Sequence, residues 1–226
     1  MEQQKTEIID TTQIDWYYKI LDVPAMPEGF EERLWQLYLE PNKDHKWINY
    51  WGPDKVYNDQ LRPDLAKKPG SGDVVGLRDG QVVQNARGRR YLMDDDIVAW
   101  INEHVHDNYN DVGLFIMDGT EHHTMLPHSD QTRNFVVIYM IEPGGEEAYT
   151  GYWQEHSYPL NREHREFGLD YNKLELRHKV QWPKGKWVLM NTNILHSVEN
   201  MTGVRVAIQM GLLELPKAPV YHTEYI

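Results

Sequence analysis

The apolar positions of this chain change period about halfway along it. In the first half they repeat at helical spacing, and beyond Val112 they fall into short runs of β-branched and aromatic residues bounded by turns. Phe30, Leu34, Leu37 and Tyr38 share one helical face between Pro27 and Leu39, and Pro41 lies just past the end, so a helix is expected there. A second helix is expected from Met93 to about Val105, opened by Asp94-Asp95-Asp96, whose charges suit the positive end of a helix dipole. Asp15 to Val23 reads as an opening strand. Asn42 to Arg90 is rich in Gly, Pro and Asp and reads as irregular, with Lys67-Lys68-Pro69-Gly70-Ser71-Gly72 as its loop or lid candidate.

From Val112 onward the pattern predicts strands over 112–117, 122–128, 135–142, 147–155, 173–181, 186–191 and 203–213. Phe135 to Ile141 is apolar throughout and ends at Pro143-Gly144-Gly145, as a strand buried on both faces would. Helices first and about seven strands later fit a mainly β fold with flanking helices, a double-stranded β-helix or jelly roll. We read 1–226 as a single domain. Residues 1–111 supply the N-terminal strand, helices and substrate-side segment, 112–213 the jelly-roll core, and 214–226 a tail that covers the barrel or contacts another subunit.

Composition narrows the functional classes. The net charge of −12 argues against a nucleic-acid binder, and the basic cluster Arg87-Gly88-Arg89-Arg90 reads as a solvated loop edge. There is no cysteine, hence no disulfide, thiolate metal site or nucleophilic thiol. No stretch approaches the roughly 20 apolar residues of a membrane span, and the N-terminus lacks the apolar core of a signal peptide. A cytoplasmic location is the expectation. Trp47, Tyr50, Trp51 and Tyr57 gather in a polar region, either as core or as the lining of a pocket.

The chemistry concentrates in three residues. His128 and Asp130 stand two positions apart, so on a strand they would face the same side, and His196 follows 66 residues after Asp130. Two imidazoles and one carboxylate make the facial triad that holds non-haem Fe(II) while leaving coordination positions open. Among 11 histidines and 35 acidic residues a His-x-Asp arises easily by chance, but here it precedes a buried strand and is followed by a distal histidine at the end of another. His122, Thr124 and Leu126 share its parity and are candidates to line the mouth of the site, unless a bulge intervenes. His104 and His106 lie near a helix end and read as surface or helix-terminal residues. Glu155-His156 and Glu163-His164 read as solvated.

Arg205 lies nine residues after His196 in an alternating segment. Val204, Val206, Ile208 and Met210 occupy one face, and Arg205, Ala207, Gln209 and Gly211 the other. A guanidinium among small inward residues needs an anionic partner, either an acidic side chain of the protein or a ligand.

Taken together, His-x-Asp, a buried strand, a distal His and an Arg nine residues later resemble the Fe(II)- and 2-oxoglutarate-dependent dioxygenases, in particular the small prolyl-4-hydroxylase-like branch. The likeness covers roughly residues 112 to 213. It implies Fe(II) held by His128, Asp130 and His196, 2-oxoglutarate with its far carboxylate on Arg205, O2 as the second cosubstrate, and hydroxylation of an amino acid, peptidyl or small-molecule substrate. The chain departs from the pattern in places. Tyr139 falls on the wrong parity for the cosubstrate-binding tyrosine of many relatives. Met125 or His122 stands where a tyrosine commonly precedes the motif, and Ala207 where some branches have serine. A metal-dependent hydrolase and a non-catalytic, cupin-like jelly-roll module are the alternatives; neither membrane nor nucleic-acid partners are expected, and oligomeric state is unreadable.

Overall fold

In the computed structural model, residues 16–40, 47–51, 75–84, 86–120, 123–130, 133–155, 171–215 and 220–221 are described. In chain order the elements are β1 (Tyr18–Leu21), α1 (Phe30–Leu39), β2 (Trp47–Trp51), β3 (Val75–Arg78), β4 (Gln81–Gln84), β5 (Arg87–Tyr91), α2 (Asp95–His104), β6 (Asp111–Asp118), β7 (Met125–His128), β8 (Phe135–Pro143) and β9 (Tyr149–Glu155). A short 3-10 turn (Tyr171–Lys173) then leads into β10 (Leu174–Val180), β11 (Trp187–Asn191), β12 (Leu195–Glu199), β13 (Val204–Leu212) and β14 (Val220–Tyr221).

The strands build a large sheet, ordered β14-β1-β11-β8-β13-β6-β5-β2, a small one, β10-β9-β12-β7, and the separate hairpin β3-β4. From β6 to β13 consecutive strands alternate between the large and the small sheet, except that β9 and β10 are neighbours in the small one, and every ladder is antiparallel. That order is the double-stranded β-helix.

The apolar runs explain why the sheets stack as they do. Alternate residues of β8 serve two cores. Phe135, Val137, Tyr139 and Ile141 pack towards α1 and α2, while Val136, Ile138 and Met140 point between the sheets. β11 and β13 divide in the same way, with Leu189 and Ile208 on the helix side and Val188, Met190 and Ala207 inside. Tyr139 is therefore on the helix side, as its parity indicated, and its hydroxyl donates to Glu31 of α1. Arg33 of α1 ion-pairs with Asp94 and Asp96 at the start of α2 and clamps the two helices together.

The expectation of irregular chain from 42 to 90 is corrected: four strands lie there. β2 pairs β5, and β5 extends the large sheet alongside β6. The basic cluster is likewise not a solvated loop edge throughout. Arg89 is exposed, but Arg90 is buried, ion-paired with Asp111 and bonded to the Gln209 carbonyl at 3.1 Å. A charged strand hides its identity when its partners come from distant sequence. Lys67 to Gly72, Tyr57, His156, Glu163 and His164 lie outside the described residues. No helix among the described residues is long and apolar enough to cross a membrane.

Candidate metal centre and anion cradle

β7 and β12 bring the two histidines together. His128 and His196 face each other directly across the ladder, with ring centroids 4.4 Å apart. Asp130 is not on the strand, as the two-residue spacing suggested, but just beyond its end. Its backbone N–H donates to the Thr192 carbonyl at 3.0 Å, and Thr192 N–H donates to the Asn134 carbonyl at 3.1 Å. The polar turn Asn191-Thr192-Asn193 thereby fixes the loop that carries the carboxylate. One ligand atom from each of His128, Asp130 and His196 lies within 4.8 Å of the others, and no second group of this kind occurs among the described residues.

Hydrogen bonds and burial set the state of these donors. His128 Nδ1 donates to the Leu126 carbonyl at 2.7 Å and His196 Nδ1 to the Ile194 carbonyl at 2.9 Å, which turns each Nε2 towards the cluster. His128 Nε2 lies 3.7 Å from Asp130 Oδ1. Burial lowers the pKa of His196 to about 3, with His128 adding to the shift and Asp130 opposing it. Burial also lowers His128, against the pull of Asp130. Burial pushes the Asp130 carboxyl up, but Arg133, His196 and His128 outweigh it and bring it down to about 2. Two neutral imidazoles and one carboxylate are the protonation states that a divalent cation requires of its ligands.

Arg205 takes its place on the inner face of β13 and is buried. Its guanidinium donates to the Pro143 carbonyl at 3.1 Å and to Thr150 Oγ1 at 3.3 Å, and no carboxylate of the described residues pairs with it. Burial lowers its pKa to about 10, against the influence of Tyr152, so it remains a cation at neutral pH. The turn at Gly144, with φ of 97°, leaves room here, since a Cβ on that glycine would sit 3.2 Å from Arg205 Cβ.

Thr150 and Tyr152, which the sequence reading did not single out, share the inner face of β9 opposite Arg205. Tyr152 stands across the ladder from His196. Its hydroxyl is buried and has no hydrogen-bond partner among the described residues. Thr150 Oγ1 accepts from both Trp182 and Arg205, so its own proton is left to donate. A cation and two hydroxyls are therefore gathered in the buried interior, with no anion among the described residues beside them. The signal for Thr150 and Tyr152 was the alternation of 147–155, but only the facing sheet shows what they meet.

The other candidates fall elsewhere. Three residues of β12, from His196 to Val198, face four of β7, from His128 back to Met125, so a bulge shifts the parity before His128. Met125 accordingly packs with the inward Val198, and Thr124 instead donates to Glu199 on the outer face at 3.4 Å. Leu126 is fully buried, and His122 lies outside the described residues. His104 stacks on Trp100 at the helix end as expected, whereas His106 is buried rather than at the surface.

No family model matches the sequence, and no curated protein matches it. Solved structures do show likenesses. An oxidoreductase of the 2OG-Fe(II) oxygenase family from Burkholderia pseudomallei is 10% identical, with TM-score 0.34 over 83% of this chain and 92% of that one. A cupin-like protein from Thermotoga maritima is 13% identical, with TM-score 0.26 over 62% of this chain and 79% of that one. E. coli ycfD is 13% identical, with TM-score 0.37 over 88% of this chain and 55% of that one. At these scores they are similarities only, and the double-stranded β-helix stands on the strand order of this chain itself.

Proposed function

We propose that this protein is a non-haem Fe(II)- and 2-oxoglutarate-dependent oxygenase that hydroxylates a C–H bond of an amino acid, a peptidyl side chain or another small molecule. The observation that carries this reading is a coincidence in one interior. A three-donor set in metal-ready protonation states neighbours a buried guanidinium that meets no carboxylate among the described residues.

His128, Asp130 and His196 would hold the metal through one atom each. Arg205, Thr150 and Tyr152 would take the far carboxylate of the cosubstrate, the guanidinium through its planar fork and the hydroxyls as donors. When bound, iron with 2-oxoglutarate and O2 supplies oxidising power for C–H hydroxylation, with succinate and CO2 as co-products.

The protein's own contribution is positional and electrostatic. Val136, Ile138, Met140, Val188, Met190 and Ala207 wall the interior with apolar surface, which strengthens a charge pair made there. The backbone carbonyls of Leu126 and Ile194 hold the imidazoles in one tautomer. A hydrolytic centre would call for a second carboxylate as general base, and Asp130 is the only carboxylate in the cluster. That reading also gives the buried Arg205 guanidinium no anion to meet.

The test is succinate formation from 2-oxoglutarate by the full chain. The proposal requires product only when Fe(II), 2-oxoglutarate and O2 are all present, and none with His196→Ala. Succinate at the same rate in that variant, or none from iron-loaded wild type across a screen of amino acids and peptides, contradicts it.

A further inference from the structure

The carboxylate of Asp130 is divided between two neighbours. Oδ1 is the oxygen near His128 Nε2, at 3.7 Å, while Oδ2 accepts a hydrogen bond from Arg133 Nε at 2.5 Å. Arg133 follows Asp130 by three residues and is only 19% exposed, and Asp130 is 12% exposed, so the pair is shielded from solvent. Gly211, near the end of β13, makes space for it. A Cβ at Gly211 would come within 2.9 Å of Arg133 Cδ and 2.5 Å of Asp111 Oδ1. The arginine thus passes over a backbone position that carries no side chain and reaches the far oxygen of the carboxylate.

We propose that Arg133 is a positioning residue for the metal centre: by occupying Oδ2 it makes Asp130 a one-oxygen ligand and aims Oδ1 between the two histidines. The inference rests on the metal half of the reading above and not on the cosubstrate. Its consequence is a coordination count. A carboxylate that binds through both oxygens fills one more position than a carboxylate that binds through one. Three protein atoms leave room for a two-point chelate and one further molecule, and four do not.

If Arg133 served only to neutralise Asp130, removing its positive charge would tighten binding of a divalent cation. If it orients the carboxylate, removal weakens binding, and outer partners of metal ligands typically contribute about 10–100-fold in affinity.

Co(II) alone, with no oxoacid, is the probe, titrated anaerobically into the full chain and followed through its visible d–d bands. Arg133→Met, similar in length and without a donor, is expected to bind Co(II) about 10–100-fold more weakly and with altered bands. Arg133→Gln, whose amide N–H can reach Oδ2, is expected to recover part of the affinity and the wild-type spectrum. Thermal melts of the metal-free proteins establish that each variant is folded, and if the methionine variant is not, the glutamine variant must still show the intermediate affinity. Wild-type affinity and bands in a folded methionine variant, or tighter binding, overturn the proposal. A wild type that binds no Co(II) overturns the metal centre itself, a different and recognisable outcome.

Discussion

His128 and His196 stand directly opposite each other on adjacent antiparallel strands, and each ties its Nδ1 to the carbonyl two residues back on its own chain. The symmetry has a physical consequence. With both Nδ1–H groups spent on backbone, both lone pairs sit on Nε2, and neither ring can rotate without losing a buried hydrogen bond. Replacing either residue by alanine should therefore remove a metal donor while leaving the sheets intact. We expect Fe(II) affinity to fall by more than about 100-fold, beyond the range of outer-partner changes, with unaltered far-ultraviolet circular dichroism. Retained affinity in either variant would show that the ligand assignment is wrong.

Tyr152→Phe should separate function from stability. The hydroxyl lies buried without a partner among the described residues, so its loss costs the metal-free protein nothing and relieves a desolvated polar group. Hydrogen bonds to charged groups are worth about 1.5–3 kcal/mol, so the variant should bind 2-oxoglutarate roughly 10- to 150-fold more weakly. Denaturant melts alongside oxoacid titration test both halves. A destabilised variant with unchanged affinity would show that the hydroxyl has a structural role instead.

Acid should destabilise the metal-free protein. An unfolded histidine titrates near 6.5, but His196 in the fold is held at about 3 and His128 is also lowered. Between those values the unfolded chain binds protons that the folded chain refuses, so stability falls as pH drops below about 6.5. Asp130 acts further down: its stabilisation is complete above 3.8 and is lost as pH falls towards about 2. Each histidine can contribute up to about 1.4 kcal/mol per pH unit, so urea midpoints should decline from pH 7 to pH 5. Replacing both histidines by asparagine should flatten that slope. A midpoint that does not change across this range in the wild type would contradict the protonation states assigned here.

The outer face of the small sheet offers a control remote from the chemistry. Glu199 is fully buried and accepts from Arg78 of β3 at 2.6 Å and from Tyr171 at 2.9 Å, while the Arg78 guanidinium lies 4.0 Å over the Tyr171 ring. Arg78→Met leaves that carboxylate buried without its cation. Because Arg78 is itself 37% exposed, the expected cost is about 2–3 kcal/mol, below the 3–5 of a fully buried pair. Co(II) affinity should stay at the wild-type value. A stability change under about 0.5 kcal/mol would mean the hairpin is not held by this pair.

How much of this was legible in the sequence depended on whether a residue's partner was near or far. β8, β11 and β13 announce themselves, since a run such as Phe135 to Ile141 cannot be left in water. The histidines and Asp130 were legible as a set, and the inward Arg205 was legible as a cation in need of an anion. β12 was missed because Leu195-His196-Ser197-Val198-Glu199 carries three polar residues, yet every one is buried through contacts with β7, β9 and distant side chains. β5 was missed because Arg90 is neutralised by Asp111 on a neighbouring strand. The bulge before His128 is not legible in Met125-Leu126-Pro127, because Pro127 suits an edge strand as well as a bulge. Arg133 gains its meaning only from Gly211 and Asp130 on either side of it.

The central claim is that one interior holds a metal and, beside it, a diacid anchored by Arg205. The most direct measurement is an anaerobic optical titration of the metal-free protein with Fe(II) and then 2-oxoglutarate, in wild type and Arg205→Ala. The account predicts a visible metal-to-ligand charge-transfer band on adding the oxoacid to wild type, shifted to much higher 2-oxoglutarate concentration in the variant. An iron-loaded, folded wild type that shows no such band, or a variant that develops it at the same concentration, would contradict it.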